Sequence, residues 1–387
     1  MGALLLAALL SACSIIGNKA PSAGTGAAAS TSGQNLIDFS DTRYIVTLSQ
    51  TFEDKALLVC IGKDGAVSKT IPYDGQAING LNRLGDDLYL HSERVNRHFI
   101  LKDQREWQEF SYAKNEIKDS EYAGSWLTAN GEQGLIQTMN IGLQDDGYHS
   151  AILYQEQGEE RVVHLKNLSP ESVVDYGGKI YVNAYYECRD DDNKEYKTLI
   201  YVIDRKTGAC TAAEFPHAFT AYSGDLVRVN DKLVTYGSNE AMLHVCEDKT
   251  VYCMLGVLDS KTMETKELDC SDDGIVLLYE HQGQIYTLTK SGKLKVYTDD
   301  LSLVETKKLE DFDFLGKRQS DGFYLMKVIP HGDRLAMLFI NADLDPKDAG
   351  IIQEYSKEDL KPLQTSKLLL PDCEEWMGEL SDFIVVE

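Results

Sequence analysis

Residues 172–185, SVVDYGGKIYVNAY, and residues 200–215, IYVIDRKTGACTAAEF, decide the fold of this 387-residue chain. Each stretch alternates apolar and polar residues on both sides of a short turn, Gly177-Gly178 in the first and a turn that contains Gly208 in the second. Alternation with a period of two is typical of half-buried β-strands, and such turns are typical of hairpins. The two stretches therefore predict two successive hairpins, or four antiparallel strands.

The second kind of hairpin recurs seven times, at intervals of roughly 40 to 55 residues. That spacing is typical of one propeller blade. The copies are LLVCIGKDGAVSKTIPY from Leu57, FILKDQREWQEFSY from Phe99, AILYQEQGEERVVHL from Ala151, IYVIDRKTGACTAAEF from Ile200, LGVLDSKTMETKEL from Leu255, LKVYTDDLSLVETKKL from Leu294 and IIQEYSKEDLKPLQTSKL from Ile351.

The first kind of hairpin precedes most of these copies. It is clearest at 172–185, 225–238 and 274–290, and weaker at 35–49, 80–93 and 322–341. Long amphipathic helical patterns are missing, and 21 tyrosines suit half-buried strand surfaces. The sequence predicts an all-β domain over residues 35–387, a β-propeller of seven four-stranded blades.

The C-terminal segment is expected to close the ring. Residues 374–387, EEWMGELSDFIVVE, end in an apolar strand that can pair with the N-terminal strands, because an open ring would leave two exposed sheet edges. The same segment resembles a hairpin of the first kind, so eight blades, one of them incomplete, are the alternative.

One turn carries a family resemblance. Asp204, Thr207 and Gly208 match the Asp-x-x-Thr-Gly turn of quinoprotein-like propeller repeats, although the tryptophan of those repeats is absent and a single blade has the full turn. The chain resembles bacterial lipoprotein β-propellers of the quinoprotein-like or WD40-like kind, at the level of architecture.

The N-terminus predicts a membrane anchor. An apolar run from Ala3 to Leu10 leads into Leu10-Ser11-Ala12-Cys13, which has the form of a bacterial lipobox. The run is too short to cross a bilayer and suits a signal peptide over residues 1–12. Its start, Met1-Gly2, lacks the usual basic residues, so a start upstream is one alternative, and a buried N-terminal helix is another.

Resemblance to bacterial lipoproteins implies cleavage before Cys13 and acyl chains, palmitate among them, on that residue. Residues 13–34 are rich in Gly, Ala, Ser and Thr and predict a flexible linker. The expected location is the bacterial cell envelope, on a membrane-anchored lipoprotein that faces outside the cytoplasm.

Acidic residues gather in the connections between the second and third strands of the predicted blades. These connections lie at 140–150, 186–197, 238–252 and 341–350, on the face that also carries the connections between blades. We call it the connection face, and we call the opposite face, which carries the hairpin turns, the turn face. The candidate ligand residues there are Asp145, Asp146, Asp190, Asp191, Asp192, Glu247, Asp248, Asp343, Asp345 and Asp348.

Metal, cofactor and catalytic signals are weak. Asn341, Asp343 and Asp345 open like an EF-hand loop, but Pro346 stands where glycine is needed, so calcium is a minor alternative to solvated acidic loops and no cofactor is predicted. The eight histidines form no metal motif; His149 and His217, in loops expected at the connection face, are the remaining acid/base or ligand candidates.

Seven cysteines follow Cys13, and none form a CxxC motif. Cys246 and Cys253 flank a probable hairpin loop and are the best candidates for a disulfide in an exported chain. A free-thiol state is the open alternative.

These features favour a non-enzymatic module that binds a partner protein or an extracellular ligand. The net charge of -24 argues against nucleic acid as a partner. The alternative is a cell-surface glycan-binding or glycan-active protein, a hydrolase or lyase with its site at the propeller mouth. For it, Trp107, Trp126 and Trp376 would offer stacking platforms, unless Trp126 and Trp376 belong to inner strands.

Overall fold

The computed structural model of the chain describes residues 37–111, 124–144, 147–187, 196–215, 222–223, 225–238, 252–309, 322–341, 349–368 and 379–386. They belong to one compact unit, Ile37–Glu387. Every regular element in these ranges is a β-strand. None of the described residues forms a helix that could cross a membrane.

The strands form seven antiparallel sheets, which are the blades of a β-propeller. Blade 1 contains β1 (Thr42–Ser49), β2 (Ala56–Gly62), β3 (Val67–Tyr73) and, from the C-terminus, β29 (Glu379–Val385). Blade 2 contains β4 (Ile78–Leu84), β5 (Asp87–Ser92), β6 (His98–Lys102) and β7 (Glu106–Phe110). Blade 3 contains β8 (Gly124–Gly131), β9 (Gly134–Gln144), β10 (Gly147–Glu156) and β11 (Glu159–Lys166).

Blade 4 contains β12 (Leu168–Tyr176), β13 (Lys179–Glu187), β14 (Tyr196–Asp204) and β15 (Cys210–Glu214). Blade 5 contains a first strand in two pieces, β16 (Tyr222–Ser223) and β17 (Val227–Val229), then β18 (Lys232–Ser238), β19 (Cys253–Asp259) and β20 (Thr265–Asp269). Blade 6 contains β21 (Ile275–His281), β22 (Gln284–Thr289), β23 (Lys293–Tyr297) and β24 (Leu303–Lys308). Blade 7 contains β25 (Phe323–His331), β26 (Arg334–Asn341), β27 (Gly350–Ser356) and β28 (Pro362–Leu368).

Ring closure follows the prediction for the C-terminus and fixes the number of blades at seven. β29 pairs with β1 in an antiparallel register, from Val385 opposite Tyr44 to Glu379 opposite Ser49. The predicted first hairpin at 35–49 is wrong in its first arm: the described residues before β1 form no strand, and β29 takes that place. The eight-blade alternative is therefore excluded, because the C-terminal segment completes blade 1.

The first strand of each blade lies innermost. Neighbouring first strands contact one another around the ring, as β29 does with β4, β4 with β8, and β25 with β29. Because successive strands are antiparallel, all hairpin turns fall on the turn face and all other connections on the connection face. The described chain also begins at the turn face, where the backbone N–H of Ile37 donates to the carbonyl of Gln104, in the β6–β7 turn.

Hydrophobic cores fill the spaces between adjacent sheets. One cluster joins blades 7 and 1, with Leu338 and Ile352 packed against Val46 and Phe383. Equivalent clusters join blades 1 and 2, 3 and 4, 4 and 5, 5 and 6, and 6 and 7, for example blades 4 and 5 through Tyr181 and Leu233. Each fully buried side chain of this size stabilises the fold by about 1.5 to 3 kcal/mol. The alternating apolar positions of the hairpins supply these cores.

Buried ion clusters tie neighbouring blades together near the turn face. Glu354 of blade 7 is fully buried and accepts hydrogen bonds from Arg43 of blade 1 at 2.6 Å and from Arg334 at 2.7 Å. Burial alone would raise the pKa of Glu354, but hydrogen bonds from His331, Arg43, Tyr44 and Arg334 hold it well below its ordinary value. The cluster therefore joins the two ends of the propeller domain.

A second such cluster joins blades 3 and 4. Arg205 is almost fully buried and pairs with Glu156 at 3.0 Å and with Asp175 at 2.5 Å. Removing one partner from a buried pair is strongly destabilising, because it leaves an uncompensated charge. The turn face thus has short turns, and buried ion pairs connect its neighbouring blades.

Candidate site in the central channel

The predicted acidic connections begin and end at the connection face, but their carboxylates lie outside the described residues. This holds for Asp145, Asp146, Asp190, Asp191, Asp192, Glu247, Asp248, Asp343, Asp345 and Asp348, and also for His217. Their role therefore stays a prediction, as does calcium binding. Within the described ranges, no three His, Cys, Asp or Glu side chains are grouped so that they could hold a metal ion.

Two predictions near these connections need correction. The loop expected at 140–150 is mostly strand, since β9 runs to Gln144 and β10 starts at Gly147. His149 therefore lies in β10, half-buried and paired in register with Lys166, rather than in a loop. Alternation simply continues through both strands, and the Asp145-Asp146 pair is the entire connection between them.

The cysteine and tryptophan candidates lie partly inside and partly outside the described residues. Cys253 is buried at the start of β19, whereas Cys246 lies outside the described residues, so the disulfide stays a prediction. Trp107 stacks on Tyr73 with ring centroids 4.9 Å apart and packs against a buried cluster, so it is no open platform. Trp126 lies in the inner strand β8, and Trp376 lies outside the described residues.

A β-bulge recurs at the same place in the inner strands. The pairing register shifts at Asn79 in β4, Trp126 in β8, Glu171 in β12, Val276 in β21, Met326 in β25 and Ser381 in β29. In blade 5 the break between β16 and β17 absorbs one extra residue in the same way. A bulge increases the local twist and redirects the next side chains.

The residues directly after the bulges form a ring around the channel, which we call the bulge ring. It consists of Asp382, Gly80, Leu127, Ser172, Asp225, Leu277 and Lys327, in blades 1 to 7. The backbone repeats here, whereas the side chains differ strongly in charge and size.

Two members of the bulge ring accept a backbone N–H from the next blade. The Leu226 backbone N–H of blade 5 donates to the Ser172 hydroxyl of blade 4 at 2.7 Å. The Leu81 backbone N–H of blade 2 donates to the Asp382 carboxylate of blade 1 at 2.8 Å. Each donor is one residue beyond the bulge ring of its own blade, so the two bonds are equivalent by the repeat.

Asp382 is a satisfied carboxylate. It is buried, and besides the Leu81 N–H it accepts hydrogen bonds from its neighbour Phe383 N–H and from the Lys327 ammonium group of blade 7. Burial raises its pKa, while Lys327 and the two backbone N–H groups oppose that rise. Asp382 thus holds blades 7, 1 and 2 together at the channel wall.

Asp225 occupies the same place in blade 5 with a different environment. Its side chain is exposed to the channel and accepts no hydrogen bond from the residues that the structure describes. Burial by the surrounding strands removes part of its hydration and thereby raises the pKa of the carboxyl group. The positive charge of Lys327 opposes this rise. The carboxylate is therefore partly desolvated, and the described residues offer it no hydrogen-bond donor in return.

Glu171, at the bulge of blade 4, is the second carboxylate of this wall. It is half-buried, and burial raises its pKa to about 7, against a hydrogen bond from Ser169. Such a shift means that the site disfavours the charged form of Glu171 when no cation accompanies it.

Glu171 and Asp225 line one cavity of about 380 Å³. Its wall comes from the inner strands of blades 3 to 7 and includes Tyr279 and Val328. Tyr279 offers the cavity no free polar group, since its hydroxyl donates to the Lys357 carbonyl at 2.7 Å and its ring is buried in the core between blades 6 and 7. A second cavity of about 580 Å³ lies nearer the turn face and shares Pro330 with the first.

One cation also lines the first cavity. The Arg228 guanidinium lies over the Tyr176 ring, 3.6 Å from its centroid, and its Nε donates to the Asn230 carbonyl at 3.0 Å. It does not contribute to the pKa shift of Glu171 or Asp225. The carboxylates thus set the chemistry of this cavity.

Few features of the sequence indicate this site. Asp225 opens the predicted hairpin at 225–238, and Glu171 directly precedes the one at 172–185, so both fall where the alternation breaks. A search for that break at a fixed distance from each inner turn would have aligned Ser172, Asp225 and Lys327. With 62 acidic residues in the chain, composition alone selects none of them.

Comparison with known proteins supports the architecture alone. No family model and no curated protein matches the chain. Among solved structures, it is similar to the β-propeller domain of the trilobed protease from Pyrococcus furiosus, with a TM-score of 0.50 and 13% identity over 84% of this chain and 93% of that one. That domain is described as having an open velcro topology, whereas here β29 pairs with β1.

Two more distant likenesses are virginiamycin B lyase from Staphylococcus aureus and AztD from Citrobacter koseri. The first has a TM-score of 0.45 and 11% identity over 74% of this chain and 85% of that one. The second has a TM-score of 0.44 and 11% identity over 85% and 96%. At such identities a likeness shows the fold alone. The strand pairing of the chain itself makes it a seven-bladed β-propeller.

Proposed function

We propose that the chain is a lipid-anchored extracytoplasmic β-propeller that binds a partner protein or an extracellular ligand on its connection face. The observation that carries the proposal is the antiparallel order of the blades. It brings the ends of β9, β13, β18 and β26, which precede the four acidic connections, to one face. Charges from connections far apart in sequence would then add into a single negative field that attracts a basic partner.

The place where the chain enters the propeller supports the same arrangement. Ile37 is held at the turn face by the Gln104 carbonyl, and β1 follows directly. A tether that arrives at the turn face would leave the connection face directed away from the membrane. The lipobox at Cys13 and the linker at 13–34 are the sequence features that call for such a tether.

The anchor is tested by fractionation of Cys13→Ala. The variant should move from the membrane fraction to the soluble or secreted fraction, because acylation of Cys13 is the proposed attachment. Sedimentation of the variant with membranes after a salt wash would contradict the anchor.

The binding face is tested by replacing Asp190, Asp191 and Asp192 with Asn and comparing pull-downs from the native cell envelope. Capture of the partner should weaken, most at low salt, because screening shortens the reach of the charges. The matched control removes three exposed carboxylates from the turn face, in Asp103→Asn, Glu159→Gln and Glu358→Gln. Equal partner lists for the wild type and the first variant at every salt concentration would refute the proposal.

The glycan alternative has less support in the described residues. A sugar-binding face usually offers open aromatic rings, whereas Trp107 is stacked on Tyr73 and packed against a core cluster. We therefore keep a glycan ligand as the second candidate, to be screened in the same envelope extracts.

A further inference from the structure

The channel cavity has the size and lining of a small-molecule site. Its volume of about 380 Å³ lies within the range of ligand pockets, about 300 to 1,000 Å³. The wall is mainly apolar, formed by side chains such as Leu226, Leu278 and Val328, and two carboxylates stand in it. Apolar walls with a few convergent polar groups are the usual composition of such pockets.

The repeat supplies an internal reference for the polar groups. At the bulge ring, Ser172 and Asp382 each accept a backbone N–H from the next blade. By the same geometry Asp225 would accept the N–H of Leu278, yet it makes no such bond and remains exposed to the cavity. Asp225 therefore does not bind the next blade as Ser172 and Asp382 do.

Charge determines which ligand would suit the cavity. Glu171 and Asp225 are the carboxylates of its wall, and Lys327, the cation that opposes the raised pKa of Asp225, is already paired with Asp382. Arg228 is held over the Tyr176 ring and by the Asn230 carbonyl. A partly desolvated carboxylate without a donor is costly, and a cation that donates hydrogen bonds removes that cost.

We infer that the channel cavity binds a small organic cation, an ammonium group on an apolar body, with Asp225 as the principal contact and Glu171 as a second one. The apolar body would lie against Val328 and Pro330. This inference goes beyond the proposed function, because it requires neither the lipid anchor nor the acidic connections.

The test compares three probes of equal size and different charge, namely benzylamine, benzyl alcohol and benzoate, by calorimetry on the purified full chain at pH 8. Benzylamine should bind, and the neutral and anionic probes should bind at least tenfold more weakly. Asp225→Asn should weaken benzylamine binding at least tenfold, and Glu171→Gln should weaken it by a smaller factor. Glu159→Gln, which removes an exposed carboxylate of the turn face, is the matched control and should bind as the wild type does.

Four outcomes would overturn the inference. These are no benzylamine binding at 10 mM, equal binding by the wild type and Asp225→Asn, a preference for benzoate, and binding of neutral saccharides in place of amines. Asp225→Ala provides a second variant at the same position should the Asn variant fold poorly. Because the pull-down uses Asp190 to Asp192 and the calorimetry uses Asp225, failure of one proposal leaves the other standing.

Discussion

Blades 1 and 5 place the same side chain, aspartate, at the same point of the bulge ring, and the two residues do different things. Asp382 is buried and holds Lys327 and the Leu81 N–H, whereas Asp225 is exposed to the channel and holds neither. The backbone position therefore does not fix the role of the residue. What differs is whether the neighbouring blades offer donors, and a carboxylate without donors is the one that remains able to bind a ligand.

The largest effect expected from this comparison is on stability. Asp382→Ala should lower the free energy of unfolding by about 3 to 5 kcal/mol, because it leaves Lys327 without its carboxylate and the Leu81 N–H without an acceptor. Asp225→Ala should cause no such loss, because no hydrogen bond from the described residues depends on this carboxylate and its partial desolvation is unfavourable. Urea unfolding of both variants at pH 7 is the measurement. Similar losses in the two variants would mean that Asp225 has a structural partner after all.

A smaller effect concerns pH. Burial raises the pKa of Glu171 from 4.5 to about 7, so the folded state binds this proton more tightly than the unfolded state does. The corresponding stability is fully present below pH 4.5 and is lost as the pH rises through about 7. Glu171→Gln should remove this decline and be more stable than the wild type at pH 8 by about 1 to 3 kcal/mol.

The measurement for Glu171 is urea unfolding of wild type and variant at pH 5 and pH 8. Other carboxylates titrate equally in both proteins, so the difference between the two slopes isolates Glu171. Glu159→Gln serves as the control and should keep the wild-type slope. A parallel slope in Glu171→Gln would show that the channel wall solvates this carboxylate well.

The smallest effect tests the neutral member of the bulge ring. Ser172→Ala removes the acceptor of the Leu226 N–H and should cost about 1 to 2 kcal/mol in the free energy of unfolding. Ser172→Thr keeps a hydroxyl and should recover most of that loss. If both variants unfold at the wild-type urea concentration, the bond between blades 4 and 5 contributes nothing, and the repeat argument would rest on Asp382 alone.

The sequence predicts the hairpins of this fold well because their signals are local. Alternation and turn residues lie within about 15 residues of one another, and Gly177 and Gly178 both adopt positive φ angles as a two-residue hairpin turn requires. Ring closure by β29 was also predictable, since FIVVE is an apolar strand with no other partner nearby. The first arm predicted before β1 shows the limit, since residues 37–41 form no strand. Both this segment and β29 could take the inner position of blade 1, and the choice between them depends on long-range pairing.

The channel site could not be predicted from the sequence for a related reason. A bulge shifts the register by one residue, which exchanges the side chains that face the channel with those that face the core. Glu171 and Asp225 belong to adjacent blades and come together only in the folded ring. Neither segment contains a sequence feature that predicts its proximity to the other. The acidic connections, in contrast, were conspicuous in composition, and their role is still to be tested.

The bulge ring also has an evolutionary consequence. It gives several blades one position, such as Asp225 or Ser172, at which a single codon changes the channel wall while the cores between the sheets are left in place, although Leu277 belongs to the core between blades 6 and 7. Several such positions around one axis allow many combinations, and this chain already uses Ser, Lys and Asp among them. Related propellers can therefore diverge in the ligand of the channel far faster than in architecture, so that fold similarity would carry little information about specificity.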